Sequence, residues 1–130
     1  MGRTGRFRSE LGRVEGLGSA KEGVTHWWAQ RVTAVALVPL TMWLVATLVT
    51  HAGADHADMV DWLSSPLSLG LMTSVIAATF HHAQLGLQVA IEDYIQHEAG
   101  KILLILTVKL ASLALGLTAI VALLVIAFGQ

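Results

Sequence analysis

The sequence predicts an all-α membrane protein with three transmembrane helices, and three observations carry that expectation. Charged residues make up 13% of the 130 and hydrophobic ones 55%, with a mean hydropathy of +0.66. A soluble domain averages about 25% charged residues. Three stretches, Val32 to Ala54, Trp62 to Ile91 and Ile102 to Gln130, carry no charged residue except Lys109. Each exceeds the roughly 20 residues with which a helix crosses a hydrocarbon core about 30 Å thick. Lipid offers a bare backbone no hydrogen bonds, so each span is expected to be helical. The chain has no cysteine, which excludes disulfides, thiolate metal sites and any iron–sulfur cluster held by this chain alone.

Taken in order, residues 1–25 form a basic, Gly-rich arm. It precedes any apolar run, so it does not read as a signal peptide. Arg6 stands where N-myristoylation needs Ser or Thr. Residues 26–130 form one membrane unit, with spans over about 30–52, 66–91 and 101–127. His26, Trp27 and Trp28 read equally well as an aromatic belt at the interface and as a partner contact. Pro66, after Ser64 and Ser65, marks the start of the second span.

Orientation follows from Lys and Arg. Arg3, Arg6, Arg8, Arg13, Lys21 and Arg31 precede the first span. The connection from His51 to Asp61 has no Lys or Arg and holds Asp55, Asp58 and Asp61, while the connection after Glu92 ends at Lys101. The positive-inside rule puts the N-terminus and the second connection in the cytoplasm. The C-terminus then faces the periplasm.

The second span carries the chemistry. His82 lies ten residues before Glu92, about 15 Å below the cytoplasmic end at 1.5 Å per residue. A polar group at that depth is a functional hypothesis by default, and neutral imidazole is an axial ligand for haem iron. The plain alternative is a hydrogen bond to a neighbouring helix. Gly86, one turn on, leaves room for a flat macrocycle, and Ala78 and Ala83 keep the surroundings small. His82 and Asp93 are eleven positions apart, about 20° beyond three full turns. They share a face, with Tyr94 one step round. His81, about 100° away, suits an interhelical or supporting role. No other span holds a histidine at matching depth, so a six-coordinate haem would take its second ligand from a partner. Lys109 lies roughly 12 Å into the third span counted from Lys101, and snorkelling is its simplest explanation.

His82-Ala83-x-x-Gly86 followed by Asp93-Tyr94 resembles the hydrophobic membrane anchor of succinate dehydrogenase, respiratory complex II. Gly23 to Leu37, GVTHWWAQRVTAVAL, is similar to that family's approach to its first helix. The likeness covers about residues 20–127. It implies a subunit of succinate:ubiquinone oxidoreductase in a bacterial inner membrane, bundled with a three-helix cytochrome b subunit. That pair would hold one haem b and dock an iron–sulfur protein and a flavoprotein. Electrons from succinate would pass through these to ubiquinone, linking the tricarboxylic acid cycle to the respiratory chain. No activity is expected of the chain alone, and no nucleic acid is expected among its partners. The resemblance makes His82 one axial haem ligand and puts Tyr94 and Asp93 at the ubiquinone. Arg31 and His26 would lie near the haem propionates or the quinone.

Elementary chemistry agrees with these roles. A quinone carbonyl oxygen grows more basic as electrons arrive, so a phenol O–H is a suitable donor to it. A neighbouring carboxylate can organise a proton path from water. Arg31 opposite a propionate would form a charge-assisted pair. The bland readings are an interfacial tyrosine, solvated carboxylates and an arginine that only sets topology. The competing class is a small transporter or channel subunit with His81 and His82 as a proton or metal relay. Only Ser68, Thr73 and Ser74 continue that path toward the far side in the second span. A haem-free anchor of the same complex is the third reading.

Overall fold

The computed structural model describes residues 21–129. Nearly all of the basic arm therefore lies outside the described residues. Four helices follow in order: α1 (Lys21–Thr50), α2 (His56–Ser64), α3 (Pro66–Tyr94) and α4 (Glu98–Phe128). The three long ones have 30, 29 and 31 residues. At 1.5 Å per residue each is about 45 Å long, enough to cross a hydrocarbon core and emerge on both sides.

Local signals set the boundaries. Gly53, with φ 91°, takes the left-handed conformation that turns the chain after α1. Asp55 caps α2 by accepting from the Asp58 N–H at 2.9 Å. Ser65 precedes α3, where its hydroxyl lies 3.4 Å from the Ser68 N–H and Pro66 opens the helix, as the sequence predicts. His97 caps α4 through Nδ1, which accepts from the Gly100 N–H at 3.2 Å.

The helix α2 is not anticipated by the span analysis, which treats 51–61 as a connection and Trp62 as part of the second span. A cap at Asp55 and an apolar anchor create it. Val60 is buried, and the Trp62 ring stacks 5.9 Å from Trp43 of α1 and meets His51 at 4.7 Å with the planes tilted by 39°. The Ser64 hydroxyl lies 3.1 Å from the Ala127 carbonyl of α4. At Ser65 the chain bends by 85° into α3. By length and hydropathy α1 and α4 each qualify as a membrane span, while α3 qualifies together with α2 as a bent pair. The polar residues His81, His82, Gln84 and Gln88 are what lower the hydropathy of α3.

Within the described residues, α3 packs on both α1 and α4, and α1 and α4 do not pack on each other. A cleft therefore opens between them, floored by α3. Among the described residues the buried apolar ones are few: Val60, Val75, Leu85, Leu123 and Ala127. Lipid is as apolar as leucine, so membrane helices associate through close packing rather than hydrophobic expulsion. The clearest close approach is Gly116 of α4, where an added Cβ would sit 3.4 Å from Phe80 of α3. Gly116→Ala should be tolerated, because that distance is ordinary van der Waals contact. Gly116→Val should lower the thermal stability of the detergent-solubilised protein by about 1–3 kcal/mol, the usual cost of overpacking. Equal melting of the alanine and valine variants would mean that this contact does not hold α3 to α4.

Candidate functional site

The site is built on α3 between His81 and Tyr94, with α1 beside it. His82 is half-buried, and its Nδ1 lies 2.9 Å from the Thr33 hydroxyl of α1. Thr33 Oγ1 also lies 2.7 Å from the Ala29 carbonyl and 3.1 Å from the Gln30 carbonyl of its own helix. Among the described residues His82 Nε2 has no hydrogen-bond partner, and it is not sealed from the surface. The plain expectation of an interhelical hydrogen bond is thus met at one ring nitrogen, and the other stays available. One turn on, Gly86 faces α1: a Cβ there would lie 3.6 Å from Gln30 Nε2. In this chain the space above Gly86 lies beside Gln30.

His81 is exposed and lines the α1–α4 cleft, whose volume is about 1080 Å³. His26 and Gln30 of α1, Gln84, Gln88 and Glu92 of α3, and Lys109 of α4 share that lining. His26 Nε2 and Gln30 Oε1 are buried without a partner. A smaller pocket of about 260 Å³ lies deeper between α3 and α4, and His81, Gln84 and Lys109 line it too. Lys109 thus stands where polar groups of three helices converge.

At the end of α3, Gln84 donates to Gln88 at 3.3 Å and Gln88 donates to Glu92 at 2.8 Å. This ladder orients Glu92 along the helix. Asp93 and Tyr94 are exposed, Tyr94 at 83%. Neither side chain has a hydrogen-bond partner among the described residues. Both Glu92 and Asp93 sit in the last turn of α3, which holds no basic residue. Carboxylates at the negative end of a helix dipole run against local electrostatics by about 0.3–1 kcal/mol each. Such local conflicts concentrate at functional sites. The Arg31 guanidinium lies 5.2 Å over the Trp27 ring, and Trp27 meets Trp28 edge-on at 5.1 Å. That arrangement holds a cation beside exposed indoles at the same end of the molecule.

Sequence reasoning missed Thr33, Gln30 and the Gln84–Gln88 ladder. The ladder was readable from its i, i+4 spacing. Thr33 was not, because it lies 49 residues from His82. Among the described residues no three His, Cys, Asp or Glu side chains gather as a ligand set for a metal ion.

Over residues 5–128 the chain matches the family described as succinate dehydrogenase/fumarate reductase transmembrane subunit. It is 37% identical over 107 residues to the succinate dehydrogenase hydrophobic membrane anchor subunit of Rickettsia bellii, covering 82% of this chain and 86% of that one. The counterpart from Rickettsia conorii is 33% identical, with 80% and 83% covered. That from Paracoccus denitrificans is 30% identical, with 73% and 74% covered. No solved structure matches significantly.

Proposed function

The chain belongs to the succinate dehydrogenase/fumarate reductase transmembrane subunit family, and from that premise we propose that it anchors succinate:ubiquinone oxidoreductase in a bacterial inner membrane. A cytochrome b subunit completes the bundle, and an iron–sulfur subunit and a flavoprotein dock at the cytoplasmic end. The N-terminus is cytoplasmic and the C-terminus periplasmic. The excess of Lys and Arg before the first span supports that orientation. The exposed apolar faces of α1 and α4 supply the surface that a partner and lipid cover: Val35, Met42, Leu103 and Leu113 are each more than half exposed.

His82 is one axial ligand of a haem b shared with the cytochrome b subunit. The observation that carries this assignment is its ring, fastened at Nδ1 and open at Nε2. The donor set fits a group held jointly: this chain would bring the His82 imidazole, and the cytochrome b subunit would bring the second ligand. Held there, a haem would supply one-electron chemistry. Tyr94 donates its O–H to a ubiquinone carbonyl oxygen, and Asp93 beside it takes protons from water and hands them toward that oxygen. Their exposure on the last turn of α3 supports an interfacial site, where protons enter while the isoprenoid tail stays in lipid. Arg31 and His26 balance the haem propionates or the quinone from α1. The family membership favours this reading over a transporter that uses His81 and His82 as a relay.

The test is purification of the complex through a tag on this chain. Three further subunits, a low-spin b difference spectrum and succinate-dependent quinone reduction are expected. A lone chain without haem absorbance would overturn the reading.

A further inference from the structure

We propose that Thr33 is a positioning residue for the haem ligand: its hydroxyl accepts from His82 Nδ1–H and so keeps the Nε2 lone pair for iron. The inference rests on His82 being that ligand, the reading given above.

A threonine hydroxyl has one proton and two lone pairs. In a helix that proton goes naturally to the carbonyl one turn back, and here Ala29 O lies 2.7 Å away, with Gln30 O at 3.1 Å. The proton is thereby committed to α1. What Thr33 offers His82 at 2.9 Å is a lone pair. Only a ring protonated at Nδ1 can use it, and a neutral imidazole protonated at Nδ1 carries its free lone pair on Nε2. In the opposite tautomer, Thr33 would have to give up its carbonyl bond to donate to Nδ1. Nε2 would then be a donor and unable to ligate. The bond also fixes the ring about χ2, since Thr33 is anchored by its own stiff χ1 and by the helix behind it. Hydrogen bonds from the second ring nitrogen orient ligating histidines and raise their basicity, and their loss typically costs about 10–100-fold in metal affinity.

The contact lies at the α1–α3 junction, beside Gln30 against Gly86. Thr33 therefore couples the helix next to the basic arm to the ligand on α3. It touches neither the quinone candidates nor the carboxylates at the end of α3.

The experiment compares Thr33→Val and Thr33→Ser in the intact complex. Valine keeps the shape and removes the hydroxyl; serine keeps the hydroxyl. Valine should lower haem retained per complex by about 10-fold or more on washing with a haem-scavenging protein. It should also raise the haem midpoint potential, because a less basic imidazole stabilises ferric iron less. The low-spin electron paramagnetic resonance signal should broaden as the ring loses its fixed orientation. Serine should restore all three. If the valine complex fails to assemble, Thr33→Ala provides the same comparison with serine in a smaller side chain. Haem retention, potential and spectrum unchanged in valine, with haem present, would overturn this inference and leave the ligand assignment standing. An unsubstituted complex that contains no b haem would overturn both.

Discussion

Replacing His82 with alanine is expected to abolish the low-spin b band in the reduced-minus-oxidised spectrum of the purified complex. His82 is the ligand proposed above: no other span holds a histidine at matching depth, and His81 beside it is turned about 100° round the helix. Losing a supporting hydrogen bond costs about 10–100-fold in metal affinity, and losing the ligand itself should cost more. The fold is expected to survive. His82→Ala removes one hydrogen bond between α1 and α3, about 1 kcal/mol, while Thr33 keeps its bond to the Ala29 carbonyl. The helix pair retains Leu85, buried on α3. His81→Ala is the matched control. His81 is exposed in the cleft rather than joined to Thr33, so its band should stay within about twofold of the parent, well short of a lost ligand contact. A full band in His82→Ala would remove this residue as ligand, and a band lost only in His81→Ala would transfer the role to its neighbour.

The contrast between those two adjacent residues marks how far the sequence can be read. Counting 100° per residue separates His81 from His82 and aligns His82 with Asp93, and the helix that results runs unbroken from Pro66 to Tyr94. Periodicity and breakers are local, so helix starts such as Pro66 were legible. Which element the His82 face meets is not local. The partner proved to be Thr33, 49 residues away in the chain, inside the apolar run VTAVAL, where nothing in the pattern marks it as more than a residue of the span. The same reasoning explains Gly86. A glycine says that something comes close, and Gln30 lies there within this chain. The helix α2 escaped because nine residues with two aspartates after the cap look like a polar connection. Its order comes from Trp62 and Val60 meeting other helices. Lys109, which spacing alone makes an anomaly to be explained by snorkelling, gains surroundings in three dimensions: His81 and Gln84 line the same two cavities.

Tyr94→Phe should slow succinate-driven ubiquinone reduction by about 10- to 100-fold, equivalent to about 1–3 kcal/mol for a polar group left without its donor. Oxidation of succinate by an artificial acceptor that draws electrons upstream of the quinone should stay within about twofold of the parent, because that path needs no donor at the quinone. The prediction is sharp because the phenol oxygen does nothing for the fold. Tyr94 is 83% exposed, has no hydrogen-bond partner among the described residues and ends its helix. Removing its hydroxyl leaves no buried group unsatisfied, so stability should change by less than about 0.5 kcal/mol. An interfacial belt tyrosine would tolerate phenylalanine in both assays, since its value lies in an amphipathic ring at the headgroup level rather than in one directed donor. Unchanged quinone reduction would therefore return Tyr94 to that role. Equal loss of both activities would assign the effect to docking of the upstream subunits at this end of α3. Loss confined to the quinone step, with haem content unaltered, would separate the Tyr94 end of α3 from the His82 end and make them two sites on one helix, about 18 Å apart along its axis at 1.5 Å per residue.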